Sequence, residues 1–180
     1  MQVPKEDAVA LFGVKPCDLH AISVLDGVLR GRDPIYTRLR DNVKLVVVEE
    51  CVEPSEVCFC GSIGSGPDAR DGFDVAFARL GGVVVFKVGS EVGEKLLARL
   101  GLREADEETL KLYREALDRV RAKTRVVDDL SRAVEALRRS IPDKDLWNEI
   151  SSKCIGCSNC NLVCPTCFCT EFYDEVDGED

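Results

Sequence analysis

The spacing in Cys154-Ile155-Gly156-Cys157-Ser158-Asn159-Cys160-Asn161-Leu162-Val163-Cys164-Pro165 constrains this chain more than any hydrophobic pattern in it. Cysteines separated by two, two and three residues and closed by proline are spaced as thiolates that ligate a cubane 4Fe–4S cluster. Each corner iron takes one thiolate, and two-residue gaps let a tight turn aim three sulfurs at neighbouring corners. Gly156 lets the backbone come close to the cluster. Amide N–H groups of such a loop reach the cluster sulfurs and tune the potential. The proline after Cys164 turns the chain away. Zinc is the alternative occupant, but it prefers four ligands arranged as two separated Cys-x2-Cys pairs.

In two-cluster ferredoxins the fourth cysteine of such a run serves the other cluster. This sequence has no second run of that kind. The fourth ligand of Cys154, Cys157 and Cys160 is therefore open between Cys164, Cys167 and Cys169, or the partner run lies beyond residue 180 or on another chain. Cys167 and Cys169 also read as ordinary buried thiols.

The chain has ten cysteines, six of them in Cys154–Cys169 and three in Cys51–Cys60. Cysteines as close as Cys58 and Cys60 rarely pair as disulfides but can share a metal centre. Cys17, Cys51, Cys58 and Cys60 make a second set of four. Cys17 and Cys51 each follow a strand-like segment. If those strands are parallel neighbours, both cysteines emerge at the same sheet edge, where ligands of open α/β sheets gather. A second 4Fe–4S cluster is the leading reading there, with zinc and free thiols as alternatives. His20, the single histidine, reads as a packed residue or one that orients a ligand, rather than as a ligand itself. Arg38 and Arg40, near Tyr36, are candidates for offsetting cluster charge, or plain surface arginines. The Gly61–Pro67 loop lacks the Lys-Ser/Thr of a phosphate-binding loop. Its expected role is to let backbone approach Cys58 and Cys60.

The net charge of −9 repels nucleic acid. No apolar run approaches the roughly 20 residues that span a bilayer, and the first residues show no secretory signal. Thiols spaced for ligation also suit a reducing compartment, so the sequence reads as cytoplasmic, without membrane insertion.

Hydrophobic residues make up 45% of the chain, enough for a packed core. Ala8–Phe12 reads as a strand, Gly13–Pro16 as a turn, and a helix follows from Asp18 until Asp33-Pro34 ends it. Val43–Val48 has the continuous apolar pattern of a strand buried on both faces. Phe73–Leu80 and Val83–Val88 form a hairpin across Gly81-Gly82. A helix over Glu91–Leu100 is closed by Gly101. Asp106 caps a helix reaching Lys123, Asp128 or Asp129 caps another through Ile141, and Pro142 opens a third over Lys144–Ser151. The acidic stretch Glu171–Asp180 reads as a frayed tail or a segment awaiting a continuation. The expected architecture is an α/β domain over 1–102 with the four-cysteine site, a helical connector over 103–150 and a small ferredoxin-like 4Fe–4S module over 151–180.

Several segments together carry a family resemblance. Phe12-Gly13-Val14-Lys15-Pro16-Cys17-Asp18-Leu19-His20-Ala21-Ile22 resembles a signature of the iron–sulfur β subunits of cytosolic nickel–iron sulfhydrogenases. The related electron-transfer subunit of anaerobic sulfite reductase shares it. Asp33-Pro34-Ile35-Tyr36 with Arg38, Cys51 followed by Cys58-Phe59-Cys60, Gly66-Pro67, Phe73-Asp74 and the stretch from Cys154 through Cys164-Pro165-Thr166-Cys167-Phe168-Cys169 extend the match over nearly the whole chain. The resemblance implies an electron relay through 4Fe–4S clusters. Its partners would be a flavoprotein that handles nicotinamide nucleotides and a catalytic subunit of hydrogenase or sulfite reductase type. It implies no substrate chemistry in this chain, and the sequence shows no catalytic triad or flavin fingerprint. Family members have a longer N-terminal region and a second ferredoxin run downstream, so the chain reads as a shortened member or a fragment. The competing reading from another class is a zinc-stabilised interaction module without redox activity.

Overall fold

Twelve elements follow one another in the computed structural model, which describes residues 8–126 and 130–167. They are β1 (Val9–Val14), α1 (Pro16–Leu29), α2 (Pro34–Asp41), β2 (Val43–Glu49), α3 (Cys60–Ile63), β3 (Val75–Leu80), β4 (Val83–Val88), α4 (Glu91–Ala98), α5 (Glu107–Lys123), α6 (Leu130–Ser140), α7 (Lys144–Ser152) and α8 (Asn159–Val163).

The strands form one sheet in the order β1-β2-β3-β4. β1 and β3 both run parallel to β2, and β4 returns antiparallel to β3. The carboxyl ends of β1, β2 and β3 therefore share one edge. β2 is central, and its valines are buried as the apolar run requires: Val46, Val47 and Val48 are all in the core. Val46 and Val48 pack with Leu19 of α1, Ala69, Phe73 and Ala76. Each such valine or leucine stabilises the fold by about 1.5–3 kcal/mol on burial. The hairpin turns on Gly81-Gly82, where Gly81 takes φ +67°, a value that favours glycine.

Three local expectations are corrected. Asp33-Pro34 begins a helix as well as ending one: the Asp33 carboxylate accepts from Tyr36 N–H at 2.8 Å, and Pro34 occupies the first turn of α2. An Asp-Pro pair is both a stop for the preceding helix and a start for the next. The chain does not turn at Gly13. β1 continues to Val14 across a register shift between Phe12 and Val14, and Gly13 takes φ +75° there, so glycine's conformational freedom serves a bulge in the strand and does not end it. Within the Gly61–Pro67 loop, Cys60–Ile63 winds into the single turn α3.

The helices after β4 divide into two kinds. α5 starts where Asp106 accepts from Thr109 N–H at 2.8 Å. It buries Ala116, Leu117 and Val120 and packs against β3. α7 is capped by Asp143, which accepts from Leu146 N–H at 3.0 Å, so Pro142 lies just before the cap and not in the first turn, where its ring alone would place it. Leu137 and Ile141 near the end of α6 and Ile150 of α7 are exposed, at 60%, 70% and 51%. Trp147 ties α7 to the end of α6 by donating to the Ser140 carbonyl at 2.7 Å. The proposed caps at Asp128 and Asp129 and the acidic stretch Glu171–Asp180 lie outside the described residues. Among the described residues no helix is long and apolar enough to cross a membrane.

Candidate metal centre

The strands ahead of Cys17 and Cys51 are parallel neighbours, with Val14 opposite Val48. Pro16 sets the first turn of α1 and places Cys17 next to it. Cys51 follows the end of β2 by two residues, and Cys58 and Cys60 lie on the segment that leaves it. All four cysteines line one cavity of about 740 Å³ beyond the carboxyl edge of the sheet. Cys51, Cys58 and Cys60 are half-buried and Cys17 is more open.

Residues far along the chain hold this loop in place. Cys51 N–H donates to the Pro67 carbonyl at 3.1 Å, closing the loop on itself. Arg125 N–H, just after α5, donates to the Cys58 carbonyl at 2.8 Å, and Ser62 Oγ donates to the Arg125 carbonyl at 3.2 Å. Arg121 pairs with Asp68 at 2.5 Å. α5 thus braces the cysteine loop from residues 121–125.

Two acids at the end of β2 were missed by sequence reasoning. Glu50, next to Cys51, is buried, with 2% of its surface exposed. Its carboxylate accepts from Lys87 Nζ at 2.7 Å, from Tyr113 Oη at 2.5 Å and from Ala69 N–H at 3.1 Å. A buried carboxylate is tolerable only with such partners. Burial, then the hydrogen bond to Glu50, pushes the Tyr113 phenol above its ordinary range. Glu49 pairs with Lys15 at 2.9 Å and with Arg79. The hydrogen bond from Lys15, more than that from Arg79, holds the Glu49 carboxyl below its usual range. The legible signal was two consecutive acids straight after a buried apolar run.

Burial is the leading cause that pushes the thiols of Cys17, Cys51 and Cys60 above the ordinary cysteine value. Asp18 adds to it at Cys17, and the neighbouring cysteines 51 and 58 add to it at Cys60. Lys15 opposes it at Cys51. Such thiols are poor solution nucleophiles, but a coordinated cation deprotonates a ligating thiol outright.

Among the described residues no three side chains of His, Cys, Asp or Glu gather tightly enough for a single metal ion. The four thiols instead surround a wide cavity. A multi-iron cluster spreads its ligands over separate irons, and two further features suit it. At Gly66 a Cβ would stand 3.3 Å from Cys60 Sγ and 3.6 Å from Pro16 Cβ, so a side chain there would crowd the Cys60 thiol. Ser65 lines the same cavity, and its buried hydroxyl has no partner among the described residues. Donor set, bare backbone and orphan hydroxyl all fit a sulfur-rich group.

The second cysteine set has a different setting. Cys154, Cys157, Cys160 and Cys164 are exposed and Cys167 is half-buried. Gly156 N–H donates to Cys154 Sγ at 3.4 Å, an amide–sulfur contact of the kind the spacing anticipates. Cys160 lies on α8. Cys164 Sγ lies 3.5 Å from Thr166 Oγ1, and hydrogen bonding with Thr166 lowers the thiol below its ordinary value. All nine described cysteines are free thiols. Cys169 lies outside the described residues.

The remaining candidates fall elsewhere. His20 is exposed and lines a separate polar cavity of about 290 Å³ between α1 and the 64–72 segment. Arg40 and Tyr36 converge on Asp26 of α1, at 3.0 Å and 2.8 Å, rather than on any cysteine.

No family model and no solved structure matches the chain. It is similar to the curated protein "Sulfhydrogenase 2 subunit beta" of Pyrococcus furiosus, 33% identical over 188 residues. The match takes in 96% of this chain and 52% of that protein, so the chain spans about half the length of the relative.

Proposed function

Because this chain belongs to the sulfhydrogenase β-subunit family, we propose that it is an electron-relay subunit of a hydrogenase-type complex. One 4Fe–4S cluster is held by Cys17, Cys51, Cys58 and Cys60. A second is held by Cys154, Cys157 and Cys160, with Cys164 or Cys167 completing it, in a ferredoxin-like module over 151–180. The observation that carries the proposal is the convergence of four thiols, from two parallel strand ends and one loop, on a single cavity.

A cluster supplies one-electron exchange at a potential set by its net charge, hydrogen bonds to its sulfurs and solvent exposure. The protein contributes the rest. Cys17 and Cys51 are positioned by the sheet edge, and Cys58 and Cys60 by a loop that α5 braces. Gly66 leaves room beside Cys60. Lys15 and Arg79 place positive charge on the cavity wall while bound to Glu49. Val57, Phe59 and Ile63 are exposed apolar residues on the same wall. Such a rim suits closure by a docking subunit that excludes water. The partners in this reading are a flavoprotein and a catalytic hydrogenase subunit. The similarity to a sulfhydrogenase subunit favours the hydrogenase side over the sulfite reductase side.

Anaerobic reconstitution with iron and sulfide tests the reading. A brown chain is expected, bleached by dithionite and carrying about four irons per cluster. A colourless chain that takes up zinc and no iron would sink it.

A further inference from the structure

The Ser65 hydroxyl is in an uncommon position. Ser65 is 4% exposed, and among the described residues its Oγ is the buried side-chain polar atom without a hydrogen-bond partner. Leaving such a group unsatisfied costs about 1–3 kcal/mol, and buried polar groups in folded proteins are overwhelmingly paired. Its backbone has little freedom to relieve the deficit. Ser65 N–H donates to the Cys60 carbonyl at 3.0 Å, directly after Gly64 closes α3. Two residues on, the buried Pro67 accepts from Cys51 N–H at 3.1 Å. Ser65 is thus clamped between the backbone partners of two of the four cysteines.

Its location limits what could pair with it. Ser65 forms part of the wall of the four-cysteine cavity, beside Gly66, whose missing side chain keeps that wall open next to Cys60 Sγ. It also borders the smaller polar cavity near His20 and Asp68. A hydroxyl can donate one hydrogen bond and rotates to find its acceptor. Sulfur atoms of a cluster carry negative charge, and hydrogen bonds to them favour the reduced, more negative state.

We infer that Ser65 is a positioning residue for the N-terminal centre, whose hydroxyl donates to a sulfur of the group held by Cys17, Cys51, Cys58 and Cys60 and raises its reduction potential. The inference rests on the relay reading above, since it needs a sulfur-rich occupant in that cavity. No covalent bond is made or broken. The effect is a bias on a one-electron equilibrium.

The test uses the full chain, anaerobically reconstituted with iron and sulfide, and compares it with Ser65→Ala. The readout is the midpoint of the N-terminal cluster, followed by EPR during a redox titration. Loss of the donor is expected to disfavour reduction by about tenfold, a negative shift of about 59 mV for one electron. The apo form of Ser65→Ala should be as stable as the parent or more so, because an unpaired buried hydroxyl has gone. Ser65→Thr keeps a donor and should restore the parent potential. Should threonine not fit, the unmutated chain still reports. After exchange into D2O it should show an exchangeable-deuteron coupling to the reduced cluster that Ser65→Ala lacks. An unchanged potential with that coupling retained overturns the inference. So does a destabilised apo Ser65→Ala of unchanged potential, which would mean that water in the second cavity pairs the hydroxyl. If Cys51→Ser removes no iron from the reconstituted chain, the relay reading itself falls, and this inference with it.

Discussion

Cys51 leaves a strand whose last three valines are almost wholly buried, whereas every residue from Lys153 to Pro165, around the other cysteine set, is exposed. The first set is built by long-range structure: two paired strands, a loop closed by Cys51 and Pro67, and a helix terminus that grips Cys58. The second is built by sequence spacing alone, on short elements whose apolar side chains face solvent. The contrast separates two ways of making a thiolate site. In one the scaffold is folded before any ligand arrives. In the other, on the proposed reading, a bound cluster would supply much of the folding free energy, as in small metal-bound domains.

Iron content and local order can break this contrast. Reconstituted Cys51→Ser and Cys157→Ser should each lose about four irons per chain. Their structural consequences should differ. In Cys51→Ser the sheet keeps its hydrogen-exchange protection, while in Cys157→Ser the amides of α7 and α8 exchange freely. Equal loss of protection in the two regions would show that neither site is preorganised.

Core substitutions probe the same difference without metal. Leu117 of α5 is 4% exposed and Leu137 of α6 is 60% exposed. Leu117→Ala should cost about 2–5 kcal/mol in denaturant unfolding of the apo chain. Leu137→Ala should stay within about 0.5 kcal/mol. A similar cost at both positions would mean that α6 has packing partners in solution.

The smallest effect concerns a phenol in the first region. Burial, then its hydrogen bond to Asp26, pushes Tyr36 up to about 12. Tyrosine in the unfolded chain titrates near 10. Between these values the unfolded chain has lost the proton that the folded chain keeps. The Tyr36 contribution is therefore complete below about pH 10 and is lost as pH rises towards about 12. Tyr36→Phe should flatten the alkaline fall in thermal midpoint and remove one late-titrating phenol from the ultraviolet titration. If the phenol titrates near 10, the Tyr36–Asp26 bond is not kept in solution.

Much of the fold could be read locally. The buried run of β2, the Gly81-Gly82 hairpin and the capped starts of α5 and α7 all carry their signals within a few residues. The misreadings were local too. Asp33-Pro34 carries stop and start signals at once, and sequence reading heard only the stop. Gly13 suggested a turn, but its positive φ serves a bulge that the strand runs through.

The spacing of the C-terminal run and the two strands that deliver Cys17 and Cys51 were determined by the sequence itself, because chain connectivity and side-chain period act over a few residues. The partners of the N-terminal centre were decided only by tertiary structure. Glu50 meets Lys87, 37 residues on, and Tyr113, 63 residues on. Arg125 reaches back to Cys58, and the Ser65 hydroxyl, on the wall of the cavity, has no partner among the described residues. The two acids carry a local signal but none of these pairings does, because each arises where sheet register and the packing of α5 bring distant parts of the chain together. The physical reason is burial: a carboxylate or hydroxyl enclosed away from water must find its partner in whatever the fold places next to it.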